Sequence, residues 1–157
     1  ARAEALADRL EMDLDFYRSA AATLPRRPRV FFEEWHEPLI SGIRWVEELI
    51  EIAGGEPVFP ELRDAGLGKE RIVDPGEVVR RAPHIIIASS CGKPVKNEWI
   101  HARDGWSGIP AVRDGQVYEV KSSMILQPGP AALTDGIRQL QQIIMRVARS
   151  ARHRRVG

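Results

Sequence analysis

The chain contains a single cysteine, Cys91. One thiol excludes an intrachain disulfide and a cysteine-rich zinc site, and it leaves the compartment open. Aromatic residues are scarce, at 6%. No stretch approaches the roughly 18 consecutive apolar residues that a membrane-spanning helix needs. Net charge is only +1, so no overall field draws the chain to nucleic acid. The histidines His36, His84, His101 and His153 are scattered without ligand spacing, so no metal site is read from them. The Walker loop, the Gly-x-Gly-x-x-Gly fingerprint and the Gly-x-Ser-x-Gly elbow are all missing. There is no internal repeat and no signal-peptide pattern. The chain starts at Ala1, directly in a helical pattern, as expected of a processed product or a fragment.

What is present is an ordinary mixture for a globular domain. The 157 residues are 43% hydrophobic and 29% charged, enough chain for one core. Charge is uneven along it. Residues 144–157 hold five arginines (Arg146, Arg149, Arg152, Arg154, Arg155) and no acid, which leaves the remainder near −4. A solvated helix end accounts for such a tail, and arginines suit the negative end of a helix dipole. Contact with nucleic acid or anionic lipid is the sharper alternative.

Hydrophobic spacing divides the chain into alternating helices and strands. Residues 1–24 read as a helix, with Leu6, Leu10, Leu14 and Tyr17 in helical register and Pro25 ending it. Arg29–Glu34 reads as a buried strand. Helical spacing returns over 39–53 and stops at Gly54-Gly55. Residues 56–72 read as a loop with a short helical turn. Asp74 as N-cap and Pro75 at the first position open a helix over 75–81. His84–Ala88 reads as a buried strand and 95–102 as a short helix. Ile109–Val112 reads as a short strand, and Gln116–Val120 as another after the Asp114-Gly115 turn. Lys121–Gly129 reads as a loop, and 131–148 as the last helix. Alternation of this kind predicts an α/β fold, a three-layer α/β/α lobe with a mainly parallel sheet, preceded by a long N-terminal helix.

In such sheets ligands sit beyond the carboxyl ends of the strands. Loops 33–38, 89–93 and 121–130 leave those ends. They bring together Glu33, Glu34, Trp35, His36, Ser89, Ser90, Lys93, Lys121, Ser122, Ser123 and Gln127. Glu34 and His36 have the chemistry for acid–base work or metal binding, yet neighbouring residues at a strand end diverge, so they do not converge on one ion. A polar strand-end loop, or a ligand contact led by Trp35, explains the same residues. A nucleophile at Ser89, Ser90 or Cys91 would need His36 or His101 as base. A small thiol at a strand end and a solvent-facing Lys93 are the plainer reading. Trp45, Trp99 and Trp106 lie on or near helices, where packing is the default, and His84 reads as structural.

The run from Phe31-Phe-Glu-Glu-Trp-His-Glu-Pro38 to Ala53-Gly-Gly-Glu56 resembles the start of the C-terminal lobe in cobalamin-binding-type, class III substrate-binding proteins of ABC importers. Three further marks follow in order. They are Val73-Asp-Pro-Gly-Glu-Val-Val-Arg-Arg-Ala-Pro-His-Ile-Ile-Ile87, Ile109-Pro-Ala-Val-Arg-Asp-Gly-Gln-Val-Tyr118 and Gln127-Pro-Gly-Pro130. The resemblance covers about residues 28–147, and helix 1–24 resembles the helix that joins the family's two lobes.

The resemblance implies an interlobe helix at 1–24, a Rossmann-like ligand-binding lobe at 28–148 and a basic tail at 149–157. It implies a non-enzymatic, periplasmic or extracytoplasmic binding protein that hands a corrinoid to an ABC permease, with a ferric siderophore or haem as the alternative ligand. No cofactor is implied beyond that cargo. The ligand would contact Glu34, Trp35, His36, Ser90, Lys93, Ser123 and Gln127. Trp35 would be the wall for a flat macrocycle, and Ser123 and Gln127 would meet its edge. The family's permease-docking carboxylate falls at Gly76 here, so Glu77 takes that role, with Asp74 two residues before. The N-terminal lobe would be absent, leaving helix 1–24 to pair with that lobe or with a second copy. A small α/β enzyme using Glu34, His36 or Lys93 is the competing class.

Overall fold

The computed structural model describes residues 2–90, 97–126 and 132–154. The apolar run Val30–Phe32 lies in the middle of the sheet, in strand β1 (Arg29–His36). Strand β2 (Leu39–Ser41) folds back antiparallel on the end of β1, and the two-residue β3 (Glu56–Pro57) runs parallel to its start. On the other side of β1, β4 (Ile85–Ser90) is parallel, with Val30 opposite Ile85 and Glu33 opposite Ala88. Strand β5 (Val117–Lys121) continues the parallel order, from Ile86 opposite Val117 to Ser90 opposite Lys121. The sheet order is β2-β1-β4-β5, with β3 also on β1.

Successive strand residues face opposite sides, so each central strand feeds two cores. Val30, Phe32, Ile85, Ile87 and Val120 pack with Leu14, Val46, Ile50, Leu140 and Ile144. Phe31, Ile86, Ala88 and Val117 pack with Val78, Ile100, Trp106, Ile109 and Val112. Helices α1 (Arg2–Ala22), α2 (Arg44–Ala53) and α7 (Ile137–Arg154) therefore cover one face. Helices α3 (Pro75–Arg81), α4 (Asn97–His101) and α5 (Pro110–Arg113) cover the other. The lobe has the expected three layers and mainly parallel sheet.

Local signals set the ends. Asp74 accepts the Gly76 N–H at 3.1 Å and caps α3, with Pro75 in the first turn. Helix α2 ends at Gly54, whose φ of +112° suits glycine, and Gly55 N–H then reaches the Ile50 carbonyl at 2.9 Å. A Cβ on Gly54 would lie 2.7 Å from Leu24 Cδ1, so the same glycine lets the end of α1 close on α2. On α1 only Leu14 and Ala21 are buried, while Leu6, Met12 and Phe16 are exposed. Among the described residues no helix is long and apolar enough to cross a membrane.

Four segments differ from the sequence reading. The helix expected over 39–53 begins at Arg44, because Leu39 and Ser41 bury alternate side chains and pair with β1 as a hairpin arm. The strand expected at 109–112 is helix α5, with Pro110 at its first position; an apolar run this short fits either element. The loop expected from Lys121 opens with the last residue of β5 and then helix α6 (Ser122–Ile125), whose Ile125 is buried. The last helix is a π-turn over Ala132–Gly136 followed by α7, which runs on to Arg154, through most of the segment read as a tail.

Candidate functional site

Strands β1, β4 and β5 end along one edge, and the hydroxyl of Ser89 ties β4 to β1 by donating to the Glu34 carbonyl at 3.1 Å. Opposite β2 the register slips between Glu33 and Trp35, which leaves Glu34 as the extra residue of a bulge. Bulges bend a strand and redirect its side chains. Here the two adjacent carboxylates diverge, as their positions in the sequence require. Glu33 is 1% exposed and takes a two-pronged bond from Arg103, with Nη2 to Oε2 at 3.0 Å. Arg103 also lies over the Trp106 ring, 4.5 Å from its centroid. Glu34 pairs with Arg71 at 3.0 Å, and Arg71 donates from Nη1 to the Ser41 carbonyl at 2.5 Å.

Above these pairs lies an aromatic shelf. The rings of Trp35 and His36 are 5.3 Å apart and tilted by 32°; His36 and Trp99 are 5.8 Å apart at 39°. Trp35 and Trp99 are 43% and 49% exposed, unusual for indoles in a domain so poor in aromatics. Trp35 donates its indole N–H to the Glu37 carbonyl at 3.0 Å, which fixes the ring beside the hairpin turn. An exposed aromatic surface, with Trp35 anchored, suits stacking against a flat ligand. Both carboxylates are held by guanidinium groups.

The structure thus brings Glu34, Trp35 and His36 together at the strand ends, with the backbone of Ser90 opposite Lys121. Ser123 lies in α6, directly after β5. Lys93, Gln127 and Cys91 lie outside the described residues, as do the side chains of Ser90 and Ser123. Glu77 stands apart on α3. It accepts from Arg80 Nε at 2.9 Å and Arg81 Nε at 3.1 Å, and those bonds hold its carboxyl down at about 2. His84 is structural, as read, accepting the Arg29 N–H at its Nδ1 at 2.9 Å. Among the described residues no cluster of three or more His, Cys, Asp or Glu side chains is placed to hold a metal ion.

Sequence reasoning missed Trp99, Arg71 and Arg103. The sequence reading gives Trp99 a packing role, yet it lies on α4, exposed and 5.8 Å from the His36 ring. Arg71 comes from a 3-10 turn at Gly68–Arg71, inside the segment read as a loop with a short helical turn, where nothing marked it as a site residue.

A family model described as periplasmic binding protein matches residues 1–124. A search of the curated proteins found no significant match. Among solved structures, an ABC transporter substrate-binding protein from Listeria monocytogenes is 19% identical with a TM-score of 0.77, over 90% of this chain and 56% of that one. The periplasmic vitamin B12-binding protein of Vibrio cholerae is 20% identical, TM-score 0.65, over 88% and 51%. The S. aureus protein IsdE complexed with haem is 20% identical, TM-score 0.71, over 90% and 57%. The chain therefore spans about half the length of these structures. Identities this low establish a shared fold. The family model, which matches well over half the sequence, establishes the relationship: the chain belongs to the periplasmic binding protein family.

Proposed function

We propose that the chain is the lobe-and-helix portion of the substrate-binding component of an ABC importer, working outside the cytoplasm and catalysing nothing. Its ligand is a metal chelate, a corrinoid first and haem or a ferric siderophore second. The observation that carries this reading is the exposed Trp35–His36–Trp99 shelf at the carboxyl ends of parallel strands. Vitamin B12 and haem are the cargoes named for two of the similar structures, which supports a macrocyclic ligand. In this reading Trp35 and Trp99 stack on the macrocycle. Glu34, His36, Ser90, Lys93, Ser123 and Gln127 surround it. Residues 28–148 form the binding lobe and 149–157 its basic end. The helix at 1–24 bridges to a second lobe or a second copy, which would cover the exposed Leu6, Met12 and Phe16. Glu77 is the residue offered to a permease, and an incoming arginine there must displace Arg80 or Arg81.

The test is a tryptophan fluorescence titration with cyanocobalamin, which absorbs where tryptophan emits. Saturable quenching that is lost in Trp35→Ala and weakened in Trp99→Ala is expected. Haemin and a ferric hydroxamate are titrated alongside, and tighter quenching by either reassigns the cargo within the same cleft. Silence with all three, in this chain and in a longer two-lobed form, overturns the reading. Turnover of a small substrate that Glu34→Gln abolishes would favour the enzyme class instead.

A further inference from the structure

At the end of the sheet opposite the shelf, where β4 and β5 begin, there is a cavity of ≈270 Å³. A water takes up about 30 Å³ in the liquid, so the space admits a small polyatomic ion with its hydration. Four separate parts of the chain build it. Arg26 comes from the link between α1 and β1, and His84 from the start of β4. Arg113 ends α5 and Asp114 follows it in the turn to β5, and Val147 and Ser150 come from α7. The ligand cleft uses none of them.

The chemistry of this lining is that of an anion site. Two arginines, Arg26 and Arg113, line the space with one carboxylate, Asp114, which lies 3.4 Å from Arg113 Nε. His84 contributes a third donor. Its Nδ1 accepts the Arg29 N–H at 2.9 Å, so the neutral ring carries its proton on Nε2. Burial, with Arg29 and Arg26 nearby and only Asp114 opposing, holds the imidazole down at about 4, so the ring stays neutral at neutral pH. Arg29 itself is spent on the Ala82 carbonyl, at 3.1 and 2.9 Å. On the α7 wall, Val147 and Ser150 are flanked by the exposed Arg146 and Arg149, the start of the arginine-rich stretch that the cleft leaves unexplained.

We infer that this cavity binds a phosphate-class oxyanion, held between the guanidinium groups of Arg26 and Arg113 with His84 Nε2–H as third donor. Arginine's planar fork matches two oxygens of such an anion, and the neutral imidazole donates without adding a charge to be balanced. A free phosphate and the phosphate of an anionic lipid headgroup present the same oxygens. The α7 arginines would add contacts to a lipid surface but not to a free ion.

Calorimetry with inorganic phosphate at low ionic strength, and co-sedimentation with phosphatidylglycerol against phosphatidylcholine vesicles, test the inference on the intact chain. One-site saturable binding is expected in at least one arm, and the arm identifies the source. Arg26→Gln and Arg113→Gln should each weaken it about tenfold or more, and Asp114→Asn should tighten it several-fold. Arg138→Gln, on α7 but paired with Asp135 away from the cavity, should leave it unchanged. Arg113 is mostly exposed, so its variant keeps the test valid if Arg26→Gln fails to fold. The His84 ring resonances should move on addition of anion. Absence of binding in both arms, or binding that survives both arginine variants, overturns the inference.

Discussion

Glu47 sits in the first turn of α2, 3% exposed, with no hydrogen-bond partner for its Oε2 among the described residues. Burial pushes its carboxyl up to about 8; Glu51 and Glu34 push the same way, and Arg63 and Arg71 only partly offset them. The folded protein therefore keeps this proton well above the pH at which the unfolded chain, with an ordinary value of 4.5, has lost it. Between those two values the folded state binds more protons, so stability falls as pH rises, by ~1.4 kcal/mol per pH unit. Below 4.5 the contribution is complete, and above about 8 the loss levels off. At pH 7 the accumulated loss is ~3 kcal/mol, a large part of the stability of a domain this size.

Glu47→Gln removes the titration while keeping the shape. Its amide inherits the same unsatisfied position, so the gain at pH 7 is about 1–3 kcal/mol rather than the whole amount. At pH 5.5 the gain shrinks to about 1 kcal/mol or less. Urea unfolding of both proteins from pH 5 to 9 measures this directly, with equal m-values as the control. Parallel pH profiles would refute the reasoning, because they would mean that Glu47 is ionised or solvated in the native state.

Three further predictions concern the stability of the lobe. Arg103→Met leaves the buried Glu33 carboxylate without its partner and should destabilise by about 3–5 kcal/mol, and adding Glu33→Gln should recover much of that loss by denaturant melting. Gly54→Ala places a methyl group at φ +112° and 2.7 Å from Leu24 Cδ1, so thermal denaturation should show a loss of about 2 kcal/mol. Asp74→Ala removes the α3 cap, with an expected loss of about 1 kcal/mol in the same assay.

The layered fold was legible because its signals are local and agree with one another. Val30–Phe32 and Ile85–Ile87 are continuous, largely β-branched or aromatic apolar runs, which suit a sheet covered on both faces. Asp74-Pro75 and Gly54-Gly55 are caps whose chemistry is written in two residues each. The misread segments are those where tertiary pairing decides. Leu39–Ser41 carries a spacing that fits a helix, and only β1 beside it makes it a strand. Ile109–Val112 is too short for any period to separate helix from strand. At the site, topology alone selected Trp35 and His36, since it requires only knowing where a strand ends. Arg71 and Arg103 had no such mark. Their roles come from ion pairs with Glu34 and Glu33 that span 37 and 70 positions of sequence.

The separation of the two sites within the lobe has a physical consequence. The aromatic shelf lies at the carboxyl ends of the strands, and the arginine-lined cavity lies where β4 and β5 begin, so one rigid sheet holds both. A flat ligand stacked on Trp35 and Trp99, as proposed, would bury one face here, and its other face would need a second wall. Since each factor of ten in affinity is ~1.4 kcal/mol, loss of a few kcal/mol of contact on the open face lowers affinity by two or more decades. The lobe alone should therefore bind its cargo weakly. The oxyanion cavity, built from four segments of the same chain, has no such dependence. Its affinity should stay the same whether or not a second lobe is present, while cargo affinity should rise sharply when one is added. Equal gains at both sites would mean that the sheet couples them, and no gain at the shelf would place the cargo elsewhere.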